Sequence, residues 1–336
     1  MPNMPLHPNE PHETRHKLSL KIPASSSNLG PGFDCLSLAL ALYNHFNFEL
    51  LDKELLDCPR VSMRQDAEGY RIAPEDNLVL KILKERLAER HDILNRLRIT
   101  ITAGIPARAG LGSSGTAALA ASAAAMYFLE SNLDLQQLLD EASTIEGHPD
   151  NVAASLSGSL VAAGKFGTHD VRVIHQRLNW PEIWEVLVLR PQYTLETSAA
   201  RAVLPHHVPF EDAVCNLQNL ALLISGVTNA DEQAMKVALH DSLHQPYRSK
   251  LMPELAQLRQ LLADSPAMGC VLSGAGPSVL ILTHRDHKTA IKTMLDHWAA
   301  GKKDKPDILG VAVDRQGLVV MQEALPESFH EAPTPG

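Results

Sequence analysis

A glycine- and serine-rich turn between an extended run and an alanine-rich run constrains this chain more than any other feature. LRITIT at residues 97–102 has the alternating apolar pattern of a strand, and TAALAASAAA at 116–125 is typical of a buried helix. Between them, GLGSSG at 110–115 stands where the helix would begin. A helix start presents unpaired N–H groups and the positive end of the helix dipole, and glycines let an anion approach the backbone. The turn therefore indicates a phosphate-binding loop.

The spacing of the glycine turn leaves three interpretations open. Gly110, Gly112 and Gly115 satisfy G-x-G-x-x-G, the dinucleotide-binding pattern, although that pattern should follow its strand directly and residues 103–109 intervene here. A turn capped by a serine before a buried helix is the second interpretation, and a phosphate loop of another kind is the third. A Walker A loop is excluded because no lysine follows the glycines.

Composition bounds the size and class of the protein. A chain of 336 residues exceeds the usual size of one hydrophobic core, so we expect two domains. A net charge of −9 and an aromatic content of 4% argue against a nucleic-acid partner. The four cysteines lack metal-binding spacing and favour free thiols in a reducing compartment, and no run is long and apolar enough for a membrane span. We therefore expect a cytoplasmic protein with no nucleic-acid and no membrane partner.

Apolar periodicity predicts the order of the secondary structure. Residues 1–17 are polar and proline-rich and are predicted to be a disordered leader, and a strand at 18–23 is predicted to end in a loop. Helices are predicted at 77–90, 133–145, 213–224, 231–239, 254–263 and 287–300, and later strands at 158–163, 185–189, 269–272, 278–283 and 308–313. This order indicates an α+β fold whose second half has antiparallel strands, such as a ferredoxin-like sandwich.

Three further segments are rich in polar residues and glycine. PASSSNLGPGFD at 23–34 follows the first predicted strand, EGHPDN at 146–151 follows a predicted helix, and SGAGPS at 273–278 joins two predicted strands. Each has a plain structural interpretation as a turn, since serine, asparagine, glycine and proline are typical turn residues. Their polar side chains also suit a binding site, so both interpretations stay open for each segment.

Taken in chain order, PASSSNLGPGFD, GLGSSG, EGHPDN and SGAGPS resemble the motifs of the GHMP small-molecule kinases. The first and third resemble the homoserine kinases of that family, as do the segments at 190–205 and 240–253. The resemblance runs from residue 18 to about residue 320. It implies ATP-dependent phosphorylation of L-homoserine to O-phospho-L-homoserine in threonine biosynthesis, and it displaces the dinucleotide interpretation of the glycine turn.

The resemblance also implies the architecture. The family has a two-domain α+β fold, the GHMP kinase fold, with an N-terminal domain like ribosomal protein S5 domain 2 and a C-terminal ferredoxin-like domain. On this chain we expect the ATP-binding domain at 18–168 and the ferredoxin-like domain at 169–325, because the pattern breaks near 164–170. Residues 1–17 would be the leader and 326–336 a flexible tail. The family often forms dimers, so a homodimer is expected from the resemblance alone.

By resemblance, the glycine turn and its flanks bind ATP. The residues expected there are Asn77, Pro106, Arg108, Ala109, Gly110, Leu111, Gly112, Ser113, Ser114, Gly115 and Thr116, with Asn77 on the adenine side. Phosphoryl transfer needs the charge of the γ-phosphate neutralised, and a helix start supplies only about 0.3–1 kcal/mol per contact. Without a Walker lysine we therefore expect Mg²⁺, and the resemblance implies Ser114 and Glu146 as its ligands. Ser113 and Glu141 are competing ligands that the sequence does not exclude.

By resemblance, the acceptor site receives an ammonium, a carboxylate and a hydroxyl. The expected substrate-binding residues are Asn28, Asp34, His148, Arg201, Arg248, Gly274 and Gly276. Asp34 would face the ammonium, and the two arginines would clamp the carboxylate, because guanidinium matches a carboxylate bidentately. The expected catalytic residues are Asp150, Asn151 and Arg201. Asp150 would orient or deprotonate the acceptor hydroxyl; which of the two stays open, since a carboxylate with a pKa of about 4 is a poor base for an alcohol.

This sequence departs from the family pattern at three places, one of which is ASLSGS at 154–159, where the family has a proline-bearing run with two glycines. After GFD, Cys35-Leu36-Ser37 replaces the usual small residues, and Thr116 stands where alanine is common. These departures leave open a kinase of the same fold with a mevalonate-like or sugar-like acceptor. A non-catalytic nucleotide- or amino-acid-binding regulator is the alternative from another class. The combined presence of Ser114, Glu146 and Asp150 disfavours it, since a pure binder has no need for metal and acceptor-positioning groups together.

Overall fold

The structure, a computed structural model, describes residues 17–55, 61–65, 77–129, 133–167 and 171–321. Nearly all of the predicted leader, and the predicted tail at 326–336, lie outside the described residues. No helix in the described part of the chain is long and apolar enough to cross a membrane. The described strands form two sheets, and helices pack on both.

The order of the elements confirms the predicted α+β class. The strands are β1 (Lys17–Asn28), β2 (Gly32–Leu50), β3 (Val61–Gln65), β4 (Leu97–Ala103), β5 (Leu160–Phe166), β6 (Arg172–Leu178), β7 (Trp184–Arg190), β8 (Gly269–Leu272), β9 (Val279–His284), β10 (Asp307–Val311) and β11 (Val319–Met321). The helices are α1 (Leu78–Arg86), α2 (His91–Leu94), α3 (Ser113–Leu129), α4 (Leu135–Glu146), α5 (Asp150–Ser157), α6 (Thr197–Ala202), α7 (Phe210–Asn229), α8 (Glu232–Ala238), α9 (Gln245–Arg248), α10 (Pro253–Leu262) and α11 (Lys288–Ala300).

The two sheets differ in size and are built almost entirely from antiparallel pairs. The first has the strand order β11-β1-β2-β4-β3, and β5 and β6 extend it from β2. The second has the order β10-β7-β9-β8. Only β3 and β4 pair in parallel among the described strands. The second sheet therefore has the antiparallel arrangement that the order of the C-terminal elements indicated.

The first strand runs further than the sequence pattern indicated. Residues 18–23 pair with β2 as the predicted strand, but the pairing continues past them, through Ser25 opposite Ala39, to Asn28 opposite Gly32. The prediction of a loop was therefore wrong for residues 24–28. These serines can be buried in a strand because their hydroxyls find hydrogen-bond partners in distant segments. As a result, β1 carries polar side chains into the centre of the molecule.

The alanine-rich helix α3 forms the centre of the first domain. The stretch from Ala118 to Ala125 has 0% exposure at every residue, and α3 contacts α1, α4, α5 and β1. Small side chains let the surrounding elements pack closely on all sides of the helix. This packing fixes the position of the helix start, and with it the glycine turn.

The second sheet is covered on both faces. Helices α10 and α11 pack on one face, with Leu255, Leu258, Ile291 and Leu295 in its core. On the other face, the second sheet shares a core with strand β2 of the first sheet, formed by Val186, Val188, Leu280 and Leu282 together with Leu36, Leu38 and Leu40. This shared apolar core holds the two sheets against each other.

The first sheet includes two strands from beyond residue 168, where we predicted the domain boundary. Strand β6 pairs with β5 along its whole length. The chain then returns at β11, where Met321 pairs with Ser19 of β1. The first domain thus takes in two segments of the predicted second domain, because these strands find their hydrogen-bond partners on its edges.

Asn44 connects the segment before the glycine turn to α3. Its Nδ2 donates to the hydroxyl of Thr116 at 2.9 Å, and its Oδ1 accepts from the N–H groups of Gly104 and Ile105 at 3.2 and 3.1 Å. Asn44 is 4% exposed, so water has little access to replace the amide. The side chain therefore fixes the path of the backbone into the turn.

We expect Asn44→Ala to lower the free energy of unfolding by about 1–3 kcal/mol, because the buried N–H of Ile105 loses its acceptor, whereas the N–H of Gly104 keeps the carbonyl of Tyr43. Denaturant unfolding measures the change. Asn47→Ala is the matched control, since Asn47 lies on the same strand without a side-chain hydrogen bond to the described residues. Equal losses for the two variants would contradict the assignment.

Candidate active site

A cavity of about 1230 Å³ opens between the glycine turn and the second sheet. Most of the residues predicted for the site line it, namely Asn28, Asp34, Asn77, Pro106, Arg108, Ala109, Gly110, Leu111, Gly112, Ser113, Ser114, Glu146, His148, Asp150, Asn151, Arg201, Arg248 and Gly274. Residues from both sheets' domains therefore meet at one opening. Gly115, Thr116 and Gly276 are predicted site residues that do not line it.

The glycine turn forms one wall of the cavity. Two positions in the turn, 110 and 112, have room only for glycine. Gly112 has a φ of 70°, and a Cβ on it would lie 2.2 Å from the hydroxyl oxygen of Ser25. Gly110 has a φ of 75°, and its Cβ would lie 2.3 Å from the carbonyl oxygen of Ser273. The turn is thus packed between β1 and the SGAGPS segment. The start of α3, with its N–H groups and positive dipole end, faces the cavity and suits an anion.

Ser25 in strand β1 is hydrogen-bonded to two other parts of this wall, the glycine turn and helix α5. Its backbone N–H donates to the carbonyl of Leu111 in the glycine turn at 3.1 Å. The side-chain amide of Asn151 donates to its hydroxyl at 3.0 Å, and Ser155 donates to the same oxygen at 3.1 Å. Ser25 therefore ties the turn to helix α5 from a position in the first strand. We did not predict this residue as part of the site.

The SGAGPS segment is held by the next residues of the same strand. Ser273 Oγ lies 2.9 Å from Ser26 Oγ and 2.7 Å from the carbonyl oxygen of Gly110. Gly274 donates its N–H to Ser27 at 3.0 Å and accepts from the side-chain amide of Asn28 at 2.7 Å. One strand therefore aligns the glycine turn, helix α5 and this loop around the cavity.

Ser114 and Glu146 meet at the start of α3. The hydroxyl of Ser114 donates to Glu146 Oε1 at 2.5 Å. Burial raises the pKa of Glu146, and the Ser114 hydrogen bond and the nearby His148 offset this only in part. Glu141, the competing carboxylate on the same helix, instead pairs with Arg86 at 2.9 Å and does not line the cavity.

His148 and Asp150 form a buried pair beside them. His148 Nδ1 lies 2.7 Å from Asp150 Oδ1, which also accepts the backbone N–H of Asn151 at 2.8 Å. Burial alone would lower the pKa of His148, but the hydrogen bond to Asp150 and the charges of Asp150 and Glu146 outweigh it, so the pKa is raised. Asp150 is 1% exposed and has no hydrogen bond to its Oδ2 from the described residues.

Asp34 and Arg201 face each other at the opposite end of the cavity. The guanidinium donates from Nη2 and Nη1 to the two carboxylate oxygens at 2.7 and 3.1 Å. Asp34 has a φ of 52°, and its N–H donates to Asn28 Oδ1 at 3.1 Å. The two side chains that we predicted to bind the substrate's ammonium and carboxylate are therefore paired with each other. Both side chains are about one-third exposed, at 37% for Arg201 and 35% for Asp34, so a ligand can reach them.

Arg248 lies deeper, next to a buried histidine. Its guanidinium donates to the carbonyls of Ala200 and Gly274 at 3.1 and 3.2 Å and lies 3.3 Å from His244 Nδ1. Burial and the charge of Arg201 lower the pKa of Arg248 to about 10, so it stays protonated at neutral pH. Burial lowers the pKa of His244 to about 4, which Asp241 only partly opposes. The cavity therefore has a fixed cation at its base and a neutral imidazole behind it.

Comparison with known proteins agrees with this geometry. The GHMP kinase N-terminal domain matches residues 77–159, and the GHMP kinase C-terminal domain matches 223–300. The chain is 35% identical to a homoserine kinase from Prochlorococcus marinus subsp. pastoris over 287 residues, which cover 85% of this chain and 90% of the relative. A homoserine kinase from a Synechococcus strain is 34% identical over 309 residues, covering 91% of this chain and 99% of the relative.

This chain belongs to the homoserine kinase family of the GHMP kinases. The crystal structure of homoserine kinase from Cytophaga hutchinsonii superposes with a TM-score of 0.76 at 25% identity. The superposition covers 92% of this chain and 98% of that one. The two-domain GHMP kinase fold expected from the sequence motifs is thereby confirmed.

Three of the residues that we predicted for the active site of this homoserine kinase family member make structural contacts that the motifs did not indicate. Asn77 caps α1, accepting the N–H of Leu80 at 3.3 Å, while it also lines the cavity. Thr116 is fully buried and does not line the cavity, and its hydroxyl contacts Asn44, which does. Gly276 packs against Met252, where an added Cβ would lie 2.1 Å from the sulfur atom. Thr116, which stands where alanine is common in the family, therefore stabilises the glycine turn and is not part of the cavity lining.

Three further residues that support the site were missed, for two different reasons. Ser25 and Ser273 stood within recognised motifs, but nothing in the sequence distinguished them from turn residues. His244 lies in the segment 240–253 that resembles the homoserine kinases, and a histidine four residues before Arg248 shares a helix face with it. That spacing was the available signal for His244.

We expect the free energy of unfolding to fall as the pH is lowered from about 6.5 to about 4, with His244 contributing up to about 3 kcal/mol of the loss. The unfolded chain binds a proton on this side chain near pH 6.5, whereas the folded protein binds it only near pH 4, so protons favour unfolding in this window. Denaturant unfolding at several pH values measures the slope. His244→Gln should have a smaller slope than the natural protein, and an unchanged slope would contradict a neutral His244.

Proposed function

We propose that this chain transfers the γ-phosphoryl group of ATP to the hydroxyl of L-homoserine, forming O-phospho-L-homoserine for threonine biosynthesis. One observation carries the proposal: a single cavity is lined both by the glycine turn with Ser114 and Glu146 and by Asp34, Arg201 and Arg248. The first set suits a phosphate and its cation, and the second suits an amino acid. Family membership supports the same assignment.

The acceptor binds through its two charges. Asp34 and Arg201 pair with each other, so the ammonium and the carboxylate of a zwitterion can each replace one partner of that pair. Arg248 adds a second guanidinium for the carboxylate through Nη2, the one guanidinium nitrogen of this side chain that has no hydrogen bond to the described residues. A ligand with only one of the two charges would leave the other side chain without a partner. This arrangement favours an amino acid over a sugar or a simple alcohol.

Residues near the glycine turn suit a magnesium ion. Glu146 is a buried carboxylate with a raised pKa, which indicates that its negative charge lacks a sufficient partner. With the hydroxyl of Ser114 it offers two oxygen ligands, and no described group of three His, Cys, Asp or Glu side chains could hold a metal alone. This suits Mg²⁺, which binds one or two protein oxygens together with phosphates and water. When bound, Mg²⁺ would neutralise charge on the transferring phosphate.

Asp150 receives the acceptor hydroxyl. Its Oδ1 is held by His148 and by the N–H of Asn151, which leaves Oδ2 for the substrate. In the transfer, the hydroxyl oxygen bonds to the γ-phosphorus, the bond from that phosphorus to the β-phosphate oxygen of ATP breaks, and the hydroxyl proton passes either to the carboxylate of Asp150 or to an oxygen of the transferred phosphoryl group. The raised pKa of His148 favours a charged imidazole that orients the carboxylate of Asp150 through its hydrogen bond to Oδ1. Positioning and electrostatics therefore contribute most of the acceleration.

Location and assembly follow the family expectation. A cytoplasmic enzyme agrees with the unpaired thiols of Cys35, Cys215 and Cys270 in the described part of the chain. A homodimer is proposed from the family resemblance. Neither statement enters the mechanism, because the residues invoked above come from one chain.

Release of ADP from Mg-ATP tests the function across homoserine, serine, threonine, mevalonate and galactose. We expect strong turnover with homoserine and little with the others, because only an amino acid satisfies Asp34 and both arginines, and homoserine has the chain length of the family substrate. Turnover with mevalonate or galactose alone would contradict the acceptor assignment. Saturable binding without turnover of any acceptor would favour the regulator instead.

Asp150→Ala and Arg201→Ala should each lower kcat/KM for homoserine at least about 100-fold, or roughly 2.7 kcal/mol of transition-state stabilisation. Asp150 loses the contact to the reacting hydroxyl, and Arg201 loses a contact to the substrate carboxylate. Steady-state kinetics with Mg-ATP measure both effects. Arg86→Ala is the control, because Arg86 pairs with Glu141 outside the cavity. Near-normal activity in either active-site variant would remove that residue from the mechanism.

Glu146→Gln should raise the Mg²⁺ concentration needed for half-maximal rate by about tenfold or more, because the site loses its carboxylate charge. Glu141→Gln is the matched control on the same helix and should leave the Mg²⁺ dependence unchanged. Titration of activity with Mg²⁺ at fixed ATP compares the two. A shift with Glu141→Gln and none with Glu146→Gln would reverse the ligand assignment.

A further inference from the structure

A buried histidine beside the acceptor end of the cavity has no role in the steps above. His244 has 0% exposure, and its ring stacks on Phe33 with the centroids 5.2 Å apart. The ring centroid of Phe33 in turn lies 5.6 and 5.2 Å from the guanidinium carbons of Arg201 and Arg248. The imidazole is therefore packed directly behind the groups that receive the amino acid.

The two ring nitrogens of His244 have different partners. Nδ1 lies 3.3 Å from Nη1 of Arg248, and Nε2 lies 2.9 Å from the carbonyl oxygen of Gly30. A guanidinium can only donate, so Nδ1 must accept, and the ring proton lies on Nε2, which donates to Gly30. A charged ring would turn a second N–H toward Arg248. The low pKa of about 4 that burial causes agrees with a neutral ring.

Arg248 is held by contacts through two of the three nitrogens of its guanidinium. Nε donates to Ala200, and Nη1 donates to Gly274 and to His244. Nη2 has no hydrogen-bond partner among the described residues, and Arg248 lines the cavity. Without an acceptor at His244, Nη1 would keep only the carbonyl of Gly274, and the plane of the guanidinium would be less firmly fixed.

The turn that carries His244 is itself anchored. Asp241 is 2% exposed, and its Oδ2 accepts the N–H groups of His244 and Gln245 at 3.0 and 2.6 Å. Leu243 donates its N–H to the other oxygen at 3.1 Å. The backbone that carries the imidazole is therefore held in place, as is needed for a side chain that orients the guanidinium of Arg248.

We propose that His244 is a positioning residue whose neutral imidazole accepts a hydrogen bond from Nη1 of Arg248 and so directs the Nη2 edge toward the carboxylate of the acceptor. This inference rests on the proposed function, which supplies a carboxylate-bearing acceptor. It assigns His244 no contact with the reacting atoms. Its effect should therefore fall on the binding of the acceptor and leave the chemical step unchanged.

Two substitutions separate the two hydrogen bonds of the ring. His244→Asn keeps an acceptor near the position of Nδ1, whereas His244→Gln keeps a donor near Nε2 and loses that acceptor. We expect KM for homoserine to rise about tenfold or more in His244→Gln and less than about threefold in His244→Asn, as for loss of a hydrogen bond to a charged group. The kcat and the KM for ATP should change little in both. Equal increases in the two variants would overturn the proposal.

An acceptor analogue without a carboxylate separates positioning from general damage. 3-Aminopropan-1-ol, used as a competitive inhibitor against homoserine, should bind His244→Gln as well as it binds the natural protein, because it does not use Arg248. Parallel losses for homoserine and this analogue would indicate a purely structural role and overturn the proposal.

Nitrogen-15 NMR of the labelled imidazole tests the inference without turnover. We expect a proton on Nε2 and none on Nδ1 from about pH 6 to 8. A proton on Nδ1, or a charged ring, would overturn the proposal even in an active enzyme. Should the natural protein fail to phosphorylate homoserine, the proposed function fails, while the NMR result still decides whether His244 accepts from Arg248.

Discussion

The buried hydroxyl of Ser25 is the contact on which the rest of the site depends. It lies within strand β1, and it receives Asn151 from one side and packs against Gly112 from the other. The next residues of the strand hold the SGAGPS loop in the same way. A strand with a larger or apolar side chain at this point could not accept the close approach of the glycine turn. The short polar run in β1 therefore aligns three segments that are distant in the chain around one cavity.

The charged side chains of the cavity are arranged so that a bound cation and a bound amino acid would each supply a missing charge partner. Glu146 is buried with too little positive charge near it, which suits a cation. Asp34 and Arg201 neutralise each other and are accessible, so an amino acid can replace both partners without leaving either unpaired. Asp150 is fixed through one oxygen and open at the other. The same packing that determines the fold thus prepares separate places for a phosphate, a metal and an acceptor.

Much of the secondary structure and the position of the glycine turn could be predicted from short sequence patterns. The longer helices and the second sheet follow from apolar periodicity, whereas α2, α5 and α9 were not predicted. The glycine turn follows from the residues that a helix start needs. The extension of β1 did not, because a serine run is typical of a turn until its partners are known, and Ser25 bonds to a residue 126 positions away. The pair formed by Asp34 and Arg201, 167 positions apart, was likewise beyond local inference. Motif resemblance brought both residues into the site without indicating that they contact each other.

Phosphorus-31 NMR of the reaction of Mg-ATP with homoserine tests the central claim most directly, since it identifies the bond that forms. We expect the γ-phosphate signal of ATP to be replaced by that of a phosphate monoester, coupled to the two protons of the carbon that bears the homoserine hydroxyl. Formation of inorganic phosphate without the ester, or no consumption of ATP, would contradict an acceptor site built from Asp34, Arg201 and Arg248 beside the glycine turn.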